Sequence, residues 1–295
     1  MTVVAFASIK GSPGVTTAAT AIAASWPAGR KVLLVEADPF GGDLAPRYGS
    51  TVTGGLASLF AAARRTLSPD AVWDHVHRLP GGLPVLFGLT GVRQAVANEN
   101  VWPAIATALA GLDADVVVDA GRLLPQFGGG VGDVLKRADA LVVLCEPTLA
   151  AIVHLRDALP GLSAEMRGRR LLVVLTGSVG YSAADIGKTL QIAVGPTMPD
   201  DPAAAAALAN KRTVKKLERT RLLRWAAAVI AELGIEELAS AGGGVTDVAE
   251  APVVDQAPVV DEPSPADADA RPQPTDSSPS EVEPVTVGSK WEARR

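Results

Sequence analysis

The strongest constraint on the fold of this chain is a rhythm: short apolar, β-branched runs alternate with stretches of helical period. Val3–Ser8, Val32–Glu36, Pro84–Phe87, Asp115–Asp119, Leu141–Cys145, Leu171–Leu175 and Ile192–Val194 read as strands. Several are apolar at consecutive positions, the pattern of a strand buried on both faces of a parallel sheet. Thr16–Ser25, Leu56–Arg65, Glu99–Leu109, Leu149–Leu159 and Ala183–Leu190 read as the helices between them, with Asn98 and Ser182 as candidate N-caps. Right-handed crossovers turn this alternation into an α/β fold: a doubly wound, mostly parallel sheet with helices on both faces. Ligands of such sheets sit at the carboxyl ends of the strands, so chemistry is sought there.

Charge divides the chain. The 295 residues carry a formal net charge of −5, which would argue against an anionic partner. Residues 241–295, however, hold 11 acidic and 4 basic side chains with eight prolines, leaving net +2 over residues 1–240. We therefore expect one α/β domain over 1–240 and a disordered, acidic, Pro-rich tail over 241–295. Within the tail Ala251-Pro-Val-Val-Asp255 recurs as Ala257-Pro-Val-Val-Asp261, either a duplicated docking motif for a protein partner or a solvated linker. Aromatic residues are only 4%, so the core must be aliphatic. The lone Cys145 excludes an intramolecular disulfide. The opening Met1-Thr-Val-Val-Ala-Phe-Ala lacks the basic region of a signal peptide, and no apolar run approaches the ~20 residues of a membrane span. A cytoplasmic setting is expected, including the periphery of the nucleoid or the inner face of the membrane.

Three strand ends carry candidate chemistry. After the first strand, Lys10-Gly11-Ser12-Pro13-Gly14-Val15-Thr16-Thr17 leads into an Ala-rich helix. Small residues let backbone amides converge on an anion, and the helix N-terminus adds partial positive charge. The second strand closes on Glu36-Ala37-Asp38-Pro39-Phe40-Gly41-Gly42-Asp43, and the fourth on Asp119-Ala120-Gly121-Arg122. A carboxylate at such an end, facing a phosphate nest, is a candidate ligand for a metal or a water. Asp38 also has a simpler reading, as the cap of a turn before Pro39.

Together these motifs resemble the ParA/MinD superfamily of deviant Walker A P-loop NTPases, in its MinD-like branch that includes the TadZ and CpaE pilus-locus proteins. The resemblance covers roughly residues 1–235. It implies ATP or ADP with Mg²⁺, cradled by Lys10, Gly11, Ser12, Gly14, Val15, Thr16 and Thr17. It further implies Thr16, Asp38 and Asp119 around the metal, and catalytic roles for Asp38 and for Lys10, the signature lysine that reaches across a homodimer. Pro199 and Asp201 match a loop near the base, and Thr176 stands where an adenine-reading Asn is usual. The chain departs from the pattern at three places. Val15 replaces the second lysine, Glu36 the first acid of the switch, and Phe40 its Gln. Valine neither donates nor neutralises, so weak or lost hydrolysis is expected. The implied function is a spatial organiser, in chromosome or plasmid partitioning or in positioning pilus, secretion or division machinery. The alternative is a pseudo-ATPase scaffold.

A dinucleotide fold is a rival, since Gly11 and Gly14 follow a strand and Glu36 ends the next, but Gly-x-Gly-x-x-Gly is absent. His75 and His77 place two imidazoles on one side of a strand without an evident further ligand; a surface helix or loop is their bland reading. Lys211–Arg224 is the basic concentration. Positions 212, 215, 216 and 219 would share a helical face, with Leu222, Trp225, Ala226, Val229, Ile230 and Leu233 as an apolar stripe. Such a segment binds DNA non-specifically or an anionic membrane, or simply packs on the sheet with its cations solvated.

Overall fold

Six of the seven predicted strands form one sheet in the computed structural model, which describes residues 1–10, 13–49, 54–123, 130–177, 179–211 and 213–235. They are β1 (Val3–Ser8), β2 (Val32–Glu36), β4 (Pro84–Leu86), β5 (Asp115–Arg122), β6 (Ala140–Cys145) and β7 (Arg170–Leu175). A two-residue strand β3 (His77–Arg78), not anticipated, adds the only antiparallel pairing named in the sheet. The order is β3-β4-β2-β5-β1-β6-β7. Consecutive residues alternate between two cores, as burial on both faces demands. Val4 and Phe6 face one cluster while Val3, Ala5 and Ala7 face the other.

One face is covered by α1 (Val15–Ala24), α9 (Pro202–Leu208) and α10 (Arg221–Glu232). The other is covered by α3 (Gly55–Ala63), α5 (Trp102–Ala110), α6 (Val131–Leu135), α7 (Leu149–Glu165) and α8 (Ala183–Leu190). Short helices α2 (Leu44–Arg47) and α4 (Val92–Ala97) follow β2 and β4. The alanines of α1, with Ala18, Ala19 and Ala21 fully buried, let it lie close to both the sheet and α10.

Several expectations need correction. Ile192–Val194 is not a strand: the chain runs beside β7 through isolated bridges at Val194 and Met198. Between these bridges Pro196 has no N–H to give, so the ladder cannot continue. Helix α7 runs through Pro160 to Glu165, because Leu155, Leu159 and Leu162 all bury on the sheet. Ser182 caps α8, accepting from the Asp185 amide at 3.1 Å. Asn98 does precede a helical turn, the 3-10 segment Glu99–Val101 ahead of α5, but its side chain caps no amide there; its Nδ2 donates to the Gln94 carbonyl and its Oδ1 accepts from Arg64. Lys211–Arg224 is not one helix: Lys216 is left-handed at φ 54°, a 3-10 turn covers Leu217–Arg219, and α10 starts at Arg221. The shared basic face therefore does not form, whereas the apolar stripe of α10 does bury. Arg212 and the whole tail, 241–295, lie outside the described residues.

At the amino ends of the strands the backbone is tied by buried acids. Asp115 accepts from the Thr2 amide at 2.8 Å, from Trp26 Nε1 at 2.8 Å, and from Arg30 Nε and Nη2 at 2.6 Å each. Asp139 accepts from the Val3 amide at 2.7 Å. Burial alone would raise the Asp115 carboxyl, but Arg30 and the Trp26 indole outweigh it and hold it below the ordinary value. Its stabilisation is thus complete above the unfolded-state value of about 4 and is lost as pH falls through the folded one. Asp115→Ala is expected to cost about 3 kcal/mol at neutral pH. The gap from the parent in urea melts should close below about pH 4.

Candidate functional site

The loop after β1 sits where the sheet order reverses around β1, with β5 on one side and β6 on the other. Gly14 is the N-cap of α1 at φ 91°, a left-handed geometry that favours glycine. No side chain caps the helix, so its first-turn amides remain open toward a cavity of about 300 Å³. Gly14, Val15, Thr16 and Thr17 line this cavity together with Asp38 and Gly121. Val15 is also core: it is 5% exposed and packs in the cluster that contains Phe6 and Ile22. Gly11 and Ser12 lie outside the described residues.

Glu36 and Asp119 are paired neighbours in the β2–β5 ladder, which brings two acids to one sheet edge. Glu36 is an anchor that the sequence reading passed over. Its buried carboxylate accepts from the amides of Asp43 at 2.7 Å, Leu44 at 2.8 Å and Gly88 at 2.9 Å. Those bonds hold the turn that carries Asp38 and Phe40 against the end of β4. A Cβ at Gly42 would come within 2.3 Å of the Glu36 carboxylate, so the Gly41-Gly42 pair after a strand-terminal acid was the available signal. Burial raises the Glu36 carboxyl, opposed by the three amides.

Asp38 does cap its turn, accepting from the Phe40 amide at 2.7 Å. Its carboxyl also lies over Gly121, where a Cβ would sit 2.1 Å away. Burial raises it, and the nearby Arg122 opposes that rise. Asp119 is almost wholly buried; Oδ1 accepts from the Gly121 amide at 3.1 Å, and Oδ2 is the buried side-chain atom left without a partner among the described residues. Burial pushes it up to about 7, with the Thr16 side chain pulling down and the Glu36 and Asp38 charges pushing further up.

The orphaned oxygen fits a cation. Among the described residues no three His, Cys or carboxylate groups form a ready-made metal cluster. A divalent ion here would take Asp119 and Thr16, and complete its shell with water or ligand oxygens, as Mg²⁺ ordinarily does.

Other predicted residues lie elsewhere. Lys10 Nζ is 2.9 Å from His154 Nε2 on α7. Pro199, Thr176 and Pro13 line a second cavity of about 530 Å³. Asp201 is not on it; its carboxylate caps α9 through the Ala204 amide at 3.1 Å and takes the Arg221 and Leu222 amides at the start of α10. His75 pairs with Ser58 Oγ at 2.7 Å and His77 packs on Phe87, so the two imidazoles have separate neighbours. Cys145 is buried, its thiol pushed up to about 11 by burial, which leaves it unreactive. Two arginines that sequence reading did not select, Arg47 and Arg122, line the first cavity.

A carboxyl raised in the fold stabilises in its protonated form. The contribution of Asp119 is complete below the unfolded value of about 4 and is lost as pH rises through the folded value. Without divalent ions, stability should fall from about pH 4 to about pH 7. Asp119→Asn should flatten that slope and match or exceed the parent at the upper end. A parent with flat urea-melt stability across this range would contradict the burial argument.

No family model and no curated protein matches this sequence. Solved structures do. A ParA family ATPase from Chlorobium tepidum TLS is 21% identical with a TM-score of 0.62, over 77% of this chain and 98% of that one. MinD complexed with Mg-ADP from Pyrococcus horikoshii OT3 is 17% identical with a TM-score of 0.61, over 80% and 98%. An McdA–ATP complex from Cyanothece is 18% identical with a TM-score of 0.61, over 79% and 96%. At these identities what is shared is the architecture, and this chain has the fold of the ParA, MinD and McdA ATPases.

Proposed function

We propose that this chain is a nucleotide-responsive spatial organiser that binds an adenine nucleotide at the α1 end of the sheet and turns it over slowly or not at all. The observation that carries this reading is the cavity where the open first turn of α1 faces Asp38 and Gly121, with the unpartnered Asp119 Oδ2 behind it. The amides of Gly14 to Thr17 would bind phosphate, Thr16 and Asp119 would hold Mg²⁺, and Asp38, on the wall of the same cavity, would orient an attacking water. Mg²⁺, when bound, supplies charge neutralisation on phosphate oxygens. Pro13 and Pro199 flank the second cavity, next to the loop, where a base is accommodated. Two chains closing over nucleotide would make a homodimer, with Lys10 released from His154 to reach its counterpart's site.

Val15 supports slow turnover. It has no ammonium to place on the β- and γ-phosphates, and its side chain belongs to the core. This same observation favours a second reading, a scaffold that recruits partners with no turnover at all.

The proposed partner surface of the domain is the exposed group Lys211, Lys215, Lys216 and Arg219, arranged on a loop and a 3-10 turn. Either DNA phosphates or anionic lipid would be met there by charge, without helix insertion. Among the described residues no helix is long and apolar enough to cross a membrane.

Calorimetric titration with ATP and Mg²⁺ tests the site. Binding is expected for the parent and none for Gly14→Asp, which puts a Cβ at φ 91° and a negative charge into the nest. Val15→Lys should tighten ATP by roughly tenfold, the worth of one charge-assisted bond. No heat from the parent at millimolar ATP would overturn nucleotide binding; binding without phosphate release would select the scaffold reading. In a second measurement, association with DNA or anionic vesicles should weaken steeply with salt and strengthen when residues 241–295 are removed. Binding indifferent to both would remove the basic group from the proposal.

A further inference from the structure

We infer that Arg122 and Arg47 take over the role of the absent loop lysine and are the cations that hold the polyphosphate of the bound nucleotide. This rests on the nucleotide reading above and names the residues that supply its missing charge. No lysine is among the residues lining the 300 Å³ cavity. The only loop lysine, Lys10, is directed to His154 instead. An anion entering would meet Asp38 and Asp43, and among the described residues lining the cavity the two arginines are the cationic side chains that offset them.

The two arginines arrive from different elements, and each is held by a partner it can exchange. Arg122 is the last residue of β5, and its guanidinium lies 4.7 Å from the centroid of the Phe40 ring. That ring is 44% exposed, so Phe40, in place of the switch Gln, serves as a platform that aims a planar cation at the cavity. Arg47, in α2, is 2.5 Å from Asp43 Oδ2 in an i,i+4 pair whose carboxylate is 63% exposed. Both partners are weak competitors: an aromatic face and a solvated carboxylate yield to a phosphate, which accepts two parallel N–H bonds from a guanidinium. Glu36 positions this set, since its bonds to the Asp43 and Leu44 amides fix the start of α2. The departures at 15 and 40 and the arginine at 122 thus form one arrangement, in which charge removed from α1 is returned from the ends of β5 and α2.

The test is calorimetry on the full chain with Mg·ATP and, separately, inorganic tripolyphosphate, for the parent, Arg122→Met, Arg47→Met and Asp43→Asn. Thermal melts of each variant check that the fold persists. Arg122→Met and Arg47→Met should each weaken both ligands by about tenfold, and the double variant by more than either. Asp43→Asn, by releasing Arg47 and removing a negative charge, should tighten both ligands. If the arginine variants bind like a binding-competent parent, the inference falls and the nucleotide reading stands. If Asp43→Asn weakens binding as much as Arg47→Met, the pair is structural and Arg47 has no role in charge supply. If the parent binds neither ligand, the nucleotide reading itself fails and takes the inference with it.

Discussion

Burial of β5 on both faces is the constraint on which the rest of the structure depends. Val116, Val117 and Val118 point alternately into two aliphatic cores, so polar chemistry is possible only at the ends of the strand. Each end carries an aspartate with almost no solvent contact. At the amino end Asp115 is met by an amide, an indole and a guanidinium, and its carboxyl is held low. Toward the carboxyl end Asp119 has one amide for Oδ1 and, among the described residues, no hydrogen-bond partner for Oδ2, and burial pushes its carboxyl up to about 7 against the pull of the Thr16 side chain. The same residue type on one strand is a fastener near one end and a carboxylate with an unpartnered oxygen toward the other. The difference lies wholly in what neighbouring elements bring to it.

Glu36 extends this contrast to the adjacent strand. It is as buried as Asp119, yet its carboxylate is saturated by three backbone amides. The carboxylate reaches forward to the Asp43 and Leu44 amides of the loop that follows. That loop then presents Asp38, Phe40 and Arg47 to the cavity. Glu36 is thus, in three dimensions, the support of the loop that lines the cavity.

The C-terminal part of the domain shows how one residue divides two functions. Lys216, held left-handed, ends any helix that would have run from 211 to 224. The cations therefore stay on exposed turns, while α10 buries Leu222, Trp225, Val229 and Ile230 against α1 and the sheet. The indole N–H of Trp225 is satisfied by the Pro196 carbonyl at 2.8 Å, tying the last helix to the interrupted edge beyond β7. Packing and solvated charge thus occupy separate segments rather than opposite faces of one helix.

What the sequence by itself determined was the local and the periodic. Consecutive apolar runs marked the strands that are buried on both faces, and glycine at a strand-to-helix junction marked the open first turn of α1. Glu36 and Asp119 marked the sheet edge where two buried acids sit side by side. Short or shielded elements were not legible: β3 and α6 are too brief to show a period, and Pro160 hid the second half of α7. Residues whose roles depend on distant neighbours were equally hidden. The Asp201 carboxylate accepts from amides at the starts of α9 and α10, and Lys10 faces His154, contacts that no local pattern announces. Tertiary structure alone decided that Glu36 anchors a loop, that Asp119 lacks a partner, and that Arg47 and Arg122 share a cavity with Gly14. The physical reason is that charge and hydrogen-bond balance are sums over groups brought together by the fold, whereas hydropathy and backbone preference are already written along the chain.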